Sequence, residues 1–197
     1  MPLGAFKAAL MGTAGVSTGD VVLLSTTTAS GASEVDITSG IDSTYGEYIF
    51  KFYNLNPATD GTNFSVQFNV AGQSGFNETM TTTVINAYHL EDDSETGLRY
   101  LASSDQAEGT SYQGLSDSIG NGADENAAGE LHLFNPSSTT YVKHFYTKVN
   151  VVNPSSAPAI QTNFVSGYVN VTGAIDEISF KMASGNFDGT IKMWGVK

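Results

Sequence analysis

The sequence predicts an all-β fold: a single antiparallel β-sandwich, jelly-roll-like, with a short N-terminal arm. Three observations predict it. Helical periodicity is nearly absent after the first dozen residues. Short runs of Val, Ile, Thr, Tyr and Phe recur between clusters of Gly, Asn, Asp, Ser and Pro, the pattern of a sandwich or barrel. Several of these runs alternate apolar and polar residues, as a strand with one buried face requires. A chain of 197 residues is of single-domain length. Residues 1–19 are read as a docking arm and residues 20–197 as the sandwich.

The arm, "MPLGAFKAALMGTAG", carries Leu3, Phe6, Leu10 and Met11. It is too short to hold a helix alone in water, so these four side chains are expected to dock on another subunit or protein; packing on their own sandwich is the alternative. Gly4 and Gly12 bound the short Ala8–Met11 apolar patch, so the segment is read as part of the working protein and not as a leader.

Strands are then expected at Val21–Thr27, Ser33–Thr38, Tyr45–Leu55, Asn63–Ala71, Met80–Glu91, Leu98–Leu101, Glu130–Asn135, Thr139–Val152, Thr162–Thr172, Ile175–Ala183 and Gly189–Val196. In "EYIFKFYNL" Tyr48, Phe50, Phe52 and Asn54 share the face expected to be inward, against Glu47, Ile49, Lys51, Tyr53 and Leu55. In "TNFSVQFNV" Phe64, Val66, Phe68 and Val70 oppose Asn63, Ser65, Gln67 and Asn69. Asn-Pro recurs at Asn56, Asn135 and Asn153, each pair ending a strand and opening a reversal. If "NPSS" after Phe134 closes a four-residue hairpin, His132 faces Tyr141 and Glu130 faces Lys143, an opposite-charge pair. That register places His132 and His144 on opposite faces. Residues Asp92 to Gly129 break the rhythm and read as long, partly ordered acidic loops on one edge of the sandwich. The last strand follows the turn "NFDGT"; Phe187, Ile191 and Trp194 are its expected core-closing residues.

Composition narrows the function classes. Eight basic against twenty acidic residues give a net charge of −12, which repels nucleic acid and anionic lipid. Ten carboxylates and only Arg99 lie between Glu91 and Glu130, as a solvated loop face or a cation site would have it. There is no cysteine, so no disulfide and no cysteine-based zinc site. No apolar run reaches the about 18 residues that a membrane helix needs.

No nucleophile elbow, phosphate loop, H-E-x-x-H helix or EF-hand loop is present. A metal triad from His89, His132 and His144 fails on the hairpin register above. Glycosidase pairs drawn from Asp176 and Glu177, or from Asp92, Asp93 and Glu95, lack shared faces or a burying environment. "EDDSE" suits a calcium ion better. The N-x-[ST] matches at Asn63, Asn77 and Asn170 are what so Asn-, Ser- and Thr-rich a chain gives by chance. No cofactor is expected.

The stretches "ITSGIDSTYGEYIFKFYNLNPATD", "GELHLFNPSSTTYVKHF" and "ISFKMASGNFDGTIKMWGVK" resemble virion structural proteins of tailed bacteriophages, notably those infecting marine bacteria, over roughly Ser25 to Lys197. The opening "LGAFKAALMG" is similar to the arms that begin other phage appendage proteins. The resemblance implies a jelly-roll-like module on the outer surface of a particle, a symmetric homo-oligomer with a trimer first, other virion proteins as partners and no catalytic residue. A tail-fibre or receptor-facing appendage is preferred to a capsid decoration protein. A carbohydrate-binding jelly roll is the rival from another class, with Tyr45, Tyr88, Tyr100, Tyr112, Tyr141 and Trp194 as stacking platforms for a host glycan.

Overall fold

A computed structural model describes residues 20–154 and 158–197. The arm residues Leu3, Phe6, Leu10 and Met11 lie outside them. The described chain forms twelve strands: β1 (Val21–Ala32), β2 (Glu34–Ile37), β3 (Glu47–Pro57), β4 (Phe64–Val70), β5 (Met80–Leu90), β6 (Thr96–Tyr100), β7 (Gln113–Gly114), β8 (Ala127–Phe134), β9 (Lys143–Asn153), β10 (Ala159–Val169), β11 (Ile175–Met182) and β12 (Phe187–Val196). They build two antiparallel sheets, one of eight strands in the order β1-β12-β3-β8-β9-β10-β5-β6 and one of four in the order β2-β11-β4-β7. The chain crosses between the sheets repeatedly, as a jelly-roll-like sandwich does.

The core follows from the alternation in the sequence. Tyr48, Phe50 and Phe52 of β3 meet Phe64 and Phe68 of β4 and Phe180 of β11, all fully buried. Phe180 lies 5.6 Å from Phe50, 5.2 Å from Phe52 and 5.7 Å from Phe64, and Phe187 lies 5.9 Å from Phe64, ring centroid to ring centroid. Such a cluster supplies ring contacts beyond simple area burial.

Three strand-level expectations are corrected. Asn54 does not continue the inward set: it takes φ 51° and is exposed, and the register slips by one residue against both β12 and β8. This bulge turns Leu55 and Pro57 inward, because one extra residue reverses the side-chain parity. The hairpin of β8 and β9 has a longer loop than four residues. His132 pairs with Tyr146, Leu131 with Thr147 and Glu130 with Lys148. The offset from the expected register is odd, so His144 shares a face with His132 instead of opposing it.

The cause is Lys143. Its fully buried ammonium donates to the carbonyls of Val171, Thr172 and Gly173, which fixes the start of β9. Trp194 is the third correction. Phe187 and Ile191 are buried, but Trp194 pairs with Leu23 and Ile49 on the outward, half-exposed face of the eight-stranded sheet. Its neighbour Gly195 faces inward, where a Cβ would stand 2.5 Å from the Tyr45 ring.

Residues 101–126 follow the edge strand β6, contain the edge strand β7 and are tied into the core. Leu115 and Ile119 are fully buried, Gln113 pairs with Val66, and Thr62 bridges Ile119. The segment folds back to cover the part of the sandwich where the inner positions of β5 and β10 are Thr82, Asn86, Gln161 and Asn163.

Candidate functional site

The outward face of the eight-stranded sheet carries a continuous row of paired residues: Leu23, Trp194, Ile49, His132, Tyr146, Ser166 and Thr83, one from each of seven strands. Adjacent strands set these side chains about 5 Å apart. The His132 ring lies parallel to that of Tyr146, with centroids 4.5 Å apart, and Phe134 joins the stack 5.8 Å from Tyr146. His132 Nδ1 is 2.5 Å from Glu47 Oε1, and its Nε2 faces Glu130 Oε1 at 3.5 Å. Burial, with the nearby Glu47 and Glu130 carboxylates, pushes the Tyr146 phenol above its usual range.

The next row has a different character. Thr26, Lys192, Lys51, Glu130, Lys148, Phe164 and Ile85 follow one another across the same seven strands. Lys51 reaches Glu130 at 3.7 Å, Lys148 lies 5.9 Å from the Phe164 ring and Lys192 5.4 Å from that of Tyr53. Leu23, Tyr53, Ile85, Tyr146, Ile160 and Phe164 are all at least two-fifths exposed on this sheet. The surface is therefore apolar and aromatic, crossed by three of the chain's eight cationic side chains.

The residues weighed for chemistry disperse. His89 lies 3.0 Å from Asp93, whereas His144 packs near Tyr168 at 5.9 Å. Asp92 accepts from the Ser94 amide and hydroxyl, which hold its carboxyl below the ordinary range, and Glu95 accepts from Tyr88. The "EDDSE" carboxylates thus turn to separate partners. Glu177 accepts from Asn69 Nδ2 at 2.7 Å. Among the described residues no three His, Asp or Glu side chains are grouped to hold a metal ion, and no helix is long and apolar enough to cross a membrane.

The aromatic platforms also separate. Tyr45 packs edge-on against Tyr48, Arg99 lies over Tyr88, Tyr100 donates to Asp105, and Tyr141 is exposed. Tyr112 donates to Ser179 Oγ and carries Lys181 over its ring at 3.9 Å.

A second feature escaped the sequence reading: a buried amide network. Arg99 donates to Asn86 Oδ1 at 2.9 Å, and Asn86 Nδ2 donates to Gln161 Oε1 at 3.2 Å and to Asn163 Oδ1 at 3.0 Å. The signal was the polar residue recurring at inward parity, in Thr82 and Asn86 and again in Gln161 and Asn163. Comparisons with protein-family models, with curated proteins and with solved structures found no match to the chain.

Proposed function

We propose that this chain is a non-enzymatic structural protein of a tailed-phage virion, of the tail-fibre or appendage type, in which the outward face of the eight-stranded sheet packs against further copies of the chain. The observation that carries this reading is the outward row from Leu23 through Trp194, His132 and Tyr146 to Thr83, of which Leu23, Tyr146, Ser166 and Thr83 are exposed among the described residues. Apolar surface of this extent marks an interaction site.

Size and charge favour a second copy as the occupant. With the flanking rows through Val196, Glu47, His144 and Tyr168 and through Thr190, Ala128, Asn150 and Thr162, four rows of side chains on seven strands span roughly 34 by 27 Å, a footprint of about 900 Å², near the ~800 Å² that each partner contributes to a stable interface. Glu130 stands between Lys51 and Lys148 in one row, so the same face of another copy brings both acid and base to meet its own. Closed symmetry then makes a homo-oligomer, with a trimer the first expectation. The arm residues Leu3, Phe6, Leu10 and Met11 serve as the anchor to a neighbouring virion protein, and the acidic loops face solvent or the host surface.

Sedimentation of the purified protein, with and without Trp194→Glu, tests the assembly face: the wild type should be oligomeric and the variant monomeric and folded. Counting copies per particle tests the placement. Tens of copies fit an appendage; hundreds would make the protein a capsid decoration protein instead.

A further inference from the structure

We propose that the cleft between residues 101–117 and the inward faces of β5 and β10 is a binding site for a neutral, hydroxyl-rich small molecule of monosaccharide size. The cleft encloses about 490 Å³, within the range of small-molecule sites. Two polar atoms buried in its walls lack a partner. Asn163, only 1 % exposed, holds its Oδ1 against Asn86 but leaves the donor Nδ2 unbonded, and the acceptor Gln106 Oε1 is likewise unmatched. Leaving such groups unpaired costs about 1–3 kcal/mol each, a cost that a ligand with both donor and acceptor character relieves. A hydroxyl has both.

The remaining walls fit the same ligand. Gln106 is held in place: its amide N–H donates to Thr82 Oγ1 at 2.8 Å and its Nε2 to the Ser111 carbonyl at 2.9 Å. Thr82 Oγ1 in turn donates to Gln113 Oε1 at 2.7 Å. The amide pair is thus presented by a prearranged framework, which lowers the ordering cost of binding. Leu101, partly exposed and backed by the buried Val84 and Leu115, supplies an apolar wall for the C–H face of a sugar ring. No lysine or arginine lines the cleft, whereas Asp105 and Asp117 do, so an anionic ligand is disfavoured by like charge. β5 and β10 line the cleft through inward residues, Val84 and Asn163, not through the outward face, and the proposal does not depend on how copies of the chain assemble.

Saturation-transfer NMR on the full chain tests this with methyl glycosides of neutral hexoses and N-acetylhexosamines, their uronate counterparts, and linear oligosaccharides. The expected result is transfer to at least one neutral glycoside at millimolar concentration, weaker transfer to its uronate, and loss of affinity of about tenfold or more in Asn163→Leu. Tighter binding of an oligosaccharide than of its monomer identifies the end of a glycan chain as the ligand; equal binding identifies the free sugar. If Asn163→Leu does not fold, Ser103→Trp, at an exposed lining position, should fill the mouth and abolish transfer in a folded protein. Absence of transfer from every neutral sugar overturns the proposal. So does preference for a uronate, or binding that survives Ser103→Trp. Trp194→Glu should leave sugar binding unchanged, which separates this outcome from that of the assembly face.

Discussion

His132 lies flat against Tyr146, with ring centroids 4.5 Å apart and an interplanar angle of 13°, on adjacent strands of the outward sheet face. The pair sits in the middle of the row that runs from Leu23 to Thr83. Cross-strand aromatic pairs add about 0.5–1.5 kcal/mol beyond their buried area. A double-mutant cycle of His132→Ala and Tyr146→Ala, read by urea denaturation of the dilute protein, should return a coupling in that range. A coupling of zero would mean that the stack contributes nothing to the fold.

Trp194 belongs to the same row. Because it is only partly buried, on the outward face, Trp194→Ala should cost about 1–2 kcal/mol, less than the about 3–5 kcal/mol of a fully interior aromatic. Phe180→Ala, which removes the ring shared by Phe50, Phe52 and Phe64, should incur that larger loss. Chemical denaturation of the two variants side by side checks the order; equal losses would contradict the assignment of faces.

The bulge at Asn54 makes a backbone prediction. At φ 51° a residue with a Cβ pays about 1–2 kcal/mol, which asparagine tolerates better than most. Asn54→Gly should be neutral within about 0.5 kcal/mol, whereas Asn54→Ala should destabilise by about 1 kcal/mol. Thermal or urea unfolding measures both.

Lys143 predicts a pH dependence. Burial pushes its ammonium below the ordinary value of 10.5. On raising the pH, the folded protein therefore loses this proton before the unfolded chain does. In the window below 10.5 the unfolded state binds more protons, and stability must rise with pH. Lys143→Met removes this group, leaves the carbonyls of Val171, Thr172 and Gly173 unpaired, and should cost about 3 kcal/mol at neutral pH. The gap between wild type and variant should widen as pH approaches 10.5. Tyr48, Tyr112 and Tyr146, whose phenols burial pushes upward, weaken both proteins alike above pH 10 and cancel in the difference. A gap independent of pH would contradict the assigned cause.

The anchoring role of the arm has its own test. Deleting residues 1–16, which removes Leu3, Phe6, Leu10 and Met11, should abolish incorporation into particles while leaving the sandwich folded. Incorporation at wild-type occupancy would contradict it.

Much of this architecture was legible in the sequence, because a sandwich writes its inward face into every second residue. The run Phe64, Val66, Phe68, Val70 needed nothing else. What stayed hidden were the events that change parity without changing composition. The extra residue at Asn54 looks like any other asparagine, and the β8–β9 register depends on Lys143 finding three carbonyls on a segment nearly thirty residues away. The amide network was hidden for the opposite reason: Asn86, Gln161 and Asn163 stand at inward parity, but their polar side chains have no evident role until residues 101–117 are seen to close over that part of the sandwich. No spacing rule brings together partners so far apart in the chain.

The chain's single tryptophan makes the central claim directly measurable, since Trp194 lies in the outward row and no other indole contributes to the signal. Acrylamide quenching of its fluorescence should be followed across a dilution series in parallel with sedimentation. The account predicts that Trp194 is shielded and its emission shifts to the blue in the oligomer, and that both effects reverse on dissociation. An oligomer in which Trp194 is quenched as readily as in the monomer, or a chain that stays monomeric at every concentration, would contradict it.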